Sequence, residues 1–414
     1  MKAETRGIHG GYEESRFLGS SAVPIFSTVS YAHLTAEEIE EVFAGKKPGY
    51  IYTRISNPTT SILETRIAEL EGGIGCIATS SGMGAISATI MALLKSGEHL
   101  VSASGIFGGT ISLFDKTLKR FGVDTTFVDS DEAEDFESAV NEKTKAIFIE
   151  AIGNPKMNVV DIPGIAEVAR KHNIPLILDN TLISPYILKG YESEADIVIH
   201  SSTKYINGHG TAMGGLLTDT GRYDWSSGSF DDIRELSKEY RNLAFLVWVR
   251  NLIYRDLGCC PSPVNSFFML QGLETLCFRM EKHVENARRL AKWLEENKDV
   301  KWVNYPGLPS SPYYGRVEKL FNGKGGGLLT FGLGSREKAF RFINSLEIAK
   351  NLANLGDAKT LVIHPASTIF HEFSDEEREA MGVTEDMIRV SVGIENIEDI
   401  IGDFDKAITT AMEE

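Results

Sequence analysis

The chain has 414 residues, 42% of them hydrophobic, so it is long enough for two or three domains with real cores, and a small binding module is excluded. Its 42 Lys and Arg residues face 58 Asp and Glu residues, and the resulting formal charge of −16 excludes nucleic acid and anionic membranes as expected partners. The N-terminus lacks an apolar signal segment, and the cysteines are too few and too irregularly spaced for a disulfide framework or a metal site, so we expect a cytoplasmic protein with reduced thiols at Cys76, Cys259, Cys260 and Cys277.

The first predicted unit is an irregular N-terminal arm, residues 1–57, which is rich in Ser, Gly and Tyr. It ends in the stretch 49–58, which has neither helical nor strand periodicity. A helix follows at once, because Asn57 is a favoured N-cap, Pro58 suits the first helical position, and Gly72 is a typical stop. We therefore expect an extended arm followed by a helix that ends near Glu71.

The second predicted unit, residues 58–260, alternates short apolar runs with helical segments. This alternation predicts an α/β domain with a mostly parallel sheet covered on both faces. The predicted strands are Cys76 to Thr79, His99 to Ala103, Thr125 to Val128, Ala146 to Glu150, Leu176 to Leu178, Asp196 to His200 and Leu216 to Thr218.

The third predicted unit, residues 261–414, begins with one long amphipathic stretch from Val264 to Asn297. Mixed strands follow at Gly327 to Phe331 and Ile388 to Val392, and a helix from Ile397 to Met412 closes the chain. This mixture predicts a separate α+β domain.

Two residues near the ends of predicted strands indicate a cofactor-binding site. Asp179 ends one strand, and Lys204 follows the next strand along the chain. Parallel strands place both endings at one edge of the sheet. Pyridoxal 5′-phosphate (PLP) needs a lysine amine for a Schiff base and a carboxylate that keeps its pyridine nitrogen protonated. A capping Asp and a solvated Lys are the ordinary interpretation of either residue alone.

A phosphate site is predicted where Ser80-Ser81-Gly82-Met83-Gly84 connects a strand to a helix. A Gly-rich turn that opens a helix offers backbone N–H groups and the positive end of the helix dipole to an anion. Alone this turn is a weak signal. Beside Asp179 and Lys204 it predicts a PLP phosphate site, and Ser201 and Thr203 lie just before this lysine.

The block Asp179-Asn180-Thr181, followed by Ser201-Ser202-Thr203-Lys204-Tyr205 and by Gly208-His209, resembles the lysine signature of the Cys/Met-metabolism PLP enzymes. This resemblance spans nearly the whole chain and implies fold type I, the aspartate-aminotransferase-like fold. It also implies a homo-oligomer, either a catalytic dimer or a tetramer of two such dimers, in which Tyr52 and Arg54 of the arm bind the PLP phosphate of the neighbouring subunit.

The same resemblance implies roles for further residues. It gives phosphate contacts to Ser81, Gly82 and Met83 and ring stacking to Phe107. It assigns Asn154 to the phenolic oxygen of PLP and to substrate. It places Arg389 on the substrate α-carboxylate, where a planar guanidinium makes a bidentate contact, and Ser367 in the substrate pocket. A strand-face salt bridge is the alternative interpretation of Arg389.

Several stretches resemble the homoserine-ester sulfhydrylase branch of the family, namely 199–211, 268–276 and 352–359. The implied reaction is γ-replacement on O-acetyl-L-homoserine by sulfide or another sulfur donor, which gives homocysteine or methionine plus acetate in methionine biosynthesis. A cystathionine γ-synthase and a methionine γ-lyase stay open as alternatives, as do succinyl and phosphoryl esters. A PLP-holding protein without catalysis, acting in sulfur transfer, is the alternative from a different class.

Two departures from the family pattern concern the outer pocket. Phe107 stands where the family usually has a tyrosine, so stacking is kept and the phenolic hydroxyl is lost. That hydroxyl assists weak leaving groups, so its absence favours an ester over a thioether substrate. Ile369 and Phe370 replace the usual Thr-His, with His371 one place later. An apolar Phe370 at the pocket entrance would suit a larger sulfur donor, such as a thiol or the thiocarboxylate of a sulfur-carrier protein.

Overall fold

The structure is a computed structural model that describes residues 1–413. Its largest element is a seven-stranded sheet in the order β1-β7-β6-β5-β4-β2-β3, in which only β7 runs antiparallel to its neighbours. The predicted strands are therefore confirmed, with ends that shift by at most two residues. The strands are β1 Gly75–Thr79, β2 His99–Ala103, β3 Asp124–Val128, β4 Thr144–Glu150, β5 Leu176–Asp179, β6 Ile197–His200 and β7 Gly215–Asp219.

Helices precede, cover and follow this sheet. In chain order they are α1 Ala3–His9, α2 Ala36–Phe43, α3 Pro58–Glu71, α4 Gly82–Leu93, α5 Gly108–Ser112, α6 Ala133–Ala139, α7 Ile162–Lys171, α8 Ser184–Ile187, α9 Asp231–Tyr240, α10 Ala244–Trp248, α11 Arg255–Leu257, α12 Pro263–Glu274, α13 Leu276–Glu296, α14 Tyr314–Phe321, α15 Arg336–Ser345, α16 Asp375–Ala380 and α17 Ile397–Met412. Single-turn π-helices extend α5 and α10 at Leu113–Thr117 and Val249–Tyr254, and short 3₁₀ helices lie at Glu14–Phe17, Leu118–Phe121 and Arg241–Leu243. Within residues 1–413, no helix is long and apolar enough to cross a membrane.

The ends of α3 follow the predicted capping chemistry. The Asn57 side chain accepts a hydrogen bond from the Thr59 N–H at 3.0 Å, and Pro58 occupies the first turn. Gly72 ends the helix with a φ of +69°, a left-handed conformation in which a side chain would be strained. The prediction of a helix that ends at Glu71 is confirmed, and its capped end leads directly into β1.

A second sheet of five strands, in the order β10-β11-β12-β9-β8, lies in the C-terminal part. Its strands are β8 Trp302–Asn304, β9 Leu328–Gly332, β10 Lys350–Asn351, β11 Leu361–Ile363 and β12 Met387–Ser391. The helix α13 joins the two cores. Its residues Met280 and Val284 pack in the core of the large sheet, and Ala287, Leu290 and Leu294 pack in the core of the small one. The α+β character is confirmed, and the division of the chain at residue 260 stays a prediction.

Two local predictions differ from the structure. The stretch Val264 to Asn297 is two helices, because Thr275 leaves helical geometry with φ −112° and ψ 3°. The arm is irregular between its helices, but α1 and α2 lie inside it. Arg66 of α3 holds the end of α1, since its Nε donates to the Gly10 carbonyl at 2.9 Å and its Nη1 to that of Gly7 at 3.2 Å. The helix α1 is therefore held on its own subunit.

Candidate active site

A cavity of about 280 Å³ lies at the carboxyl ends of the parallel strands, where the large sheet meets the small one. The loops and helices after β1, β4, β5 and β6 supply most of its wall, and β12 supplies one side chain. This is the location at which open α/β sheets bind ligands. The residues lining it include Ser81, Gly82, Met83, Phe107, Glu150, Asn154, Asp179, Thr181, Ser201, Thr203, Lys204, Met213, Asn354, Ile369 and Arg389.

Among the residues that the structure describes, Lys204 is the only lysine that lines the cavity. It lies four residues beyond β6, and its Nζ donates a hydrogen bond to Asn354 Oδ1 at 2.7 Å. Burial, reinforced by the positive charge of Arg389, lowers the pKa of Lys204 to about 8. An amine with this pKa is partly neutral near physiological pH, so it can act as a nucleophile and as a base.

Asp179 ends β5 and faces the same cavity. Its Oδ1 accepts a hydrogen bond from the Thr181 N–H at 3.0 Å and another from the Thr181 hydroxyl. Burial raises the pKa of Asp179, while the Thr181 bonds and the nearby His200 oppose that rise. Glu150 ends β4 directly beside it, in register with Asp179 across the two strands.

Arg389 projects from the middle of β12 and is only 4% exposed. Its Nη1 donates to Asn154 Oδ1 at 3.1 Å, and its Nη2 donates to the Asn354 carbonyl at 3.2 Å. Within residues 1–413, no carboxylate forms a salt bridge with it, so the salt bridge considered from the sequence is not seen. A buried guanidinium without a counter-charge is suited to an anionic ligand, and a carboxylate fits its planar donors.

The turn between β1 and α4 has the geometry of an anion site. Ser81 caps α4, since its Oγ accepts from the Gly84 N–H at 3.0 Å. A Cβ at Gly82 would lie 2.7 Å from the Cβ of Ser201, so only glycine lets the turn approach that residue so closely. The hydroxyls of Ser81 and Ser201 therefore meet the N-terminal end of a twelve-residue helix, where the dipole favours a phosphate.

Phe107 lines the cavity and remains 37% exposed. Its backbone N–H donates to Glu150 Oε1 at 2.8 Å, so the carboxyl group of β4 fixes the main chain that carries this ring. Ile369 and Met213 add further apolar surface to the wall. The cavity is thus lined by both polar groups and apolar side chains.

The structure does not bring every sequence-predicted residue into this cavity. Tyr52 and Arg54 are exposed outside it, with the guanidinium over the Tyr52 ring at 5.4 Å and Arg54 Nη1 bonded to the Arg255 carbonyl at 2.6 Å. Ser367 also lies outside the cavity wall, and its Oγ is 2.8 Å from His364 Nδ1. These three residues keep their sequence-based roles only as predictions.

The interpretation of Phe370 as part of the pocket entrance is wrong. Its side chain is 1% exposed and packs against Phe373 and α5 near Gly108. Ile369 lines the cavity instead. Residues 365–373 form consecutive turns. Sequence spacing does not predict which of two adjacent apolar residues in such turns faces the cavity.

Among the cavity residues that the sequence analysis did not assign to the site, Glu150 and Asn354 bear most directly on its chemistry. Glu150 was assigned to a strand end but to no site, although parallel strands bring β4 and β5 to one edge and so signal its position beside Asp179. Asn354 lies in a loop after β10 without local pattern, and only the tertiary fold brings it to Lys204.

The residues present fit PLP: a buried amine, a buried carboxylate, a phosphate-binding helix terminus and a flat aromatic side chain share one cavity. Fold and site together define a PLP-dependent enzyme of the aspartate-aminotransferase-like fold. A family model described as "Cys/Met metabolism PLP-dependent enzyme" matches residues 4–409. The chain belongs to this family.

Similar proteins cover the chain almost completely. A homocysteine synthase of Schizosaccharomyces pombe is 44% identical over 99% of this chain and 98% of its own length. O-acetyl-L-homoserine sulfhydrylase 1 of Thermus thermophilus is 41% identical over 99% of this chain and 100% of its own. A crystal structure from Campylobacter jejuni, of a protein described as an O-acetylhomoserine (thiol)-lyase with pyridoxyl-lysine monophosphate, has a TM-score of 0.92 at 36% identity, covering 99% of this chain and 100% of its own.

Proposed function

We propose that this protein is an O-acetylhomoserine sulfhydrylase. The observation that carries the proposal is the meeting, in one buried cavity, of the Lys204 amine, the Asp179 carboxylate and an Arg389 without a counter-charge. The sulfhydrylase names of full-length relatives support the same reaction. The balanced reaction is O-acetyl-L-homoserine plus hydrogen sulfide to L-homocysteine plus acetic acid.

In this proposal the cofactor is held at both ends. Asp179 would pair with the pyridine nitrogen, Asn154 with the phenolic oxygen, and Lys204 would be the covalent attachment point. Ser81, Gly82 and Met83 would bind the phosphate together with Ser201 and Thr203. When bound, PLP supplies the electron sink that accepts the pair left by the broken α C–H bond.

The chain's own groups would then position the substrate and move its protons. Arg389 would bind the α-carboxylate with a bidentate contact. Lys204, released by the incoming amine, would remove the α-proton and then transfer protons at the β-carbon. Its lowered pKa of about 8 suits both directions of proton transfer near neutral pH.

The γ-substituent would leave without help from a phenol, because residue 107 is phenylalanine and only stacks. Acetate is stable as an anion and needs no proton donor, whereas a thiolate leaves less readily. We therefore expect replacement at an ester to outrun release of methanethiol from methionine.

The proposed active unit is a homo-oligomer in which Tyr52 and Arg54 reach the phosphate of a neighbouring subunit. Both residues are exposed and lie away from the cavity of their own subunit, which supports this arrangement. The tetramer, a cytoplasmic location and a sulfur-carrier protein as donor stay predictions.

Steady-state turnover of the holoenzyme tests the proposal. We expect homocysteine from O-acetylhomoserine and sulfide at a kcat/KM well above that for the succinyl and phosphoryl esters, and loss of turnover in Lys204→Ala. Cystathionine formation from cysteine, or methionine cleavage faster than acetyl-ester turnover, would assign the protein to another branch of the family. Absence of turnover with every ester, despite bound cofactor, would leave the non-catalytic alternative.

A further inference from the structure

Glu150 is a buried carboxyl group to which the proposed mechanism gives no task. It ends β4, is 7% exposed and lines the cavity together with Asp179. The two residues are paired in register across the parallel strands β4 and β5, so their side chains project to the same face from strands about 4.8 Å apart. Two carboxyl groups therefore share one wall of the cofactor site.

The charged groups around this pair do not neutralise both members. Lys204 Nζ is bonded to Asn354, Arg389 is bonded to Asn154 and Asn354, and His200, on β6, is paired with the buried Glu71. Within the part of the chain that the structure describes, neither Glu150 nor Asp179 forms a salt bridge. Two adjacent buried carboxyl groups without such partners hold one proton between them, because ionisation of one opposes ionisation of the other.

The hydrogen bonds decide which member carries the proton. Asp179 accepts two bonds from Thr181, from its N–H and its hydroxyl, and such bonds stabilise the charged form. Glu150 accepts one, from the Phe107 N–H. Burial followed by the charge of Asp179 raises the pKa of Glu150 well above its ordinary value, in agreement with the geometry.

We propose that Glu150 is a positioning residue that works as a neutral acid. It leaves the single negative charge of the pair on Asp179. Its oxygen without the proton accepts the hydrogen bond from the Phe107 N–H and so holds the Phe107 main chain at the cofactor. The inference rests on the proposed contact between Asp179 and the pyridine nitrogen. A neutral neighbour keeps the Asp179 carboxyl group ionised, because a second buried negative charge would raise the pKa of Asp179 and favour its protonation. No proton enters or leaves Glu150 during the reaction.

Three variants of the holoenzyme test this role through cofactor affinity, measured by equilibrium dialysis, and through the pH titration of the bound cofactor's visible absorbance. Glu150→Ala removes the acceptor of the Phe107 N–H, and we expect cofactor affinity to fall by about tenfold or more. Glu150→Gln keeps a neutral group with an acceptor oxygen, so it should rescue affinity to within about threefold of wild type and restore the titration midpoint. Glu142→Gln, at the exposed position just before β4, is the control.

The proposal is overturned if Glu150→Gln weakens binding as much as Glu150→Ala does, or moves the absorbance midpoint by about one pH unit or more, as removal of a buried negative charge would. Normal affinity in Glu150→Ala would also overturn it. Asp179→Asn separates the two levels of inference: if this variant binds cofactor normally, the proposed ring contact itself is wrong, whatever Glu150 does.

Infrared spectroscopy gives a readout that does not depend on the folding of any variant. At pH 8 the wild-type holoenzyme should show the carbonyl stretch of a protonated buried carboxylic acid. Asp196 and Asp219 are mostly ionised at that pH, since burial raises the pKa of Asp196 only to about 6 and that of Asp219 to about 7. Absence of the band would overturn the neutral state of Glu150.

Discussion

Substitution of Asn354 by alanine should slow catalysis and leave substrate binding nearly unchanged. The 2.7 Å bond from Lys204 Nζ to Asn354 Oδ1 is the contact that fixes the amine. A hydrogen bond to a charged group contributes about 1.5–3 kcal/mol, which corresponds to roughly 10- to 150-fold in rate at about 1.36 kcal/mol per tenfold. Arg389 bonds to the Asn354 carbonyl, a main-chain group that alanine retains. We therefore expect the loss in kcat and little change in KM for the ester.

The assay is the initial rate of homocysteine release from O-acetylhomoserine at saturating sulfide, followed from pH 6 to pH 10. Asn354→Asp provides a second test, because a carboxylate beside the amine stabilises the ammonium form and raises the pKa of Lys204 above about 8. The rise of kcat with pH should then move to higher pH. Asn351→Ala, at an exposed position of β10, is the control. A kcat for Asn354→Ala within about threefold of wild type, or an unmoved pH limb in Asn354→Asp, would refute the reasoning.

Three further predictions concern the wall, the phosphate turn and a buried acid. Phe107→Tyr restores a proton donor near the γ-substituent, and release of methanethiol from methionine should rise by about 100-fold, measured against unchanged or slower ester turnover. Gly82→Ala places a Cβ 2.7 Å from the Cβ of Ser201, whereas the Cβ of Gly84→Ala meets only ordinary contacts at 3.4 Å or more. Cofactor affinity, measured by dialysis, should therefore fall only in Gly82→Ala. Equal affinities of the two variants would contradict the close approach. Burial raises the pKa of Asp196 to about 6 from an ordinary 3.8, so its contribution to stability is complete below pH 4 and is lost as pH rises to 6, a decrease of up to about 3 kcal/mol. Urea unfolding of Asp196→Asn should lack this decrease, and a parallel pH dependence in both proteins would show the carboxyl group to be ionised throughout.

The strands, and the part of the site formed by Asp179 and Lys204, could be predicted from the sequence because the local apolar pattern agrees with the final fold there. The neighbouring strands β4, β5 and β6 end at Glu150, Asp179 and His200, and parallel strands bring those ends to one edge of the sheet. Asp179 and Lys204 therefore share a cavity in the structure as expected. The helix α3 was predictable for a similar reason, since its N-cap Asn57 and its C-terminal Gly72 are local signals that need no tertiary contact.

Features that depend on tertiary contacts could not be predicted. The short helix α1 has little periodicity of its own and is held by Arg66, which lies more than fifty residues away. The break at Thr275 separates α12 from α13, and only α13 is amphipathic. Asn354 reaches Lys204 across 150 residues of chain. For α1 and for Asn354 the deciding partner is distant in sequence, so a local pattern carries no information about it.

The buried charges of the cavity oppose folding of the protein but favour the binding of anionic ligands. Within residues 1–413 no carboxylate forms a salt bridge with the buried Arg389, Lys204 is buried in the same cavity, and Asp179 lies in the same wall. A buried charge without a partner opposes folding by several kcal/mol even after the surrounding structure relaxes. The expected ligands carry the complementary anions, a phosphate for the α4 terminus and a carboxylate for Arg389. Ligand binding to the folded state stabilises it by mass action, so the buried cations that oppose folding also provide the affinity for an anionic cofactor and an amino-acid substrate.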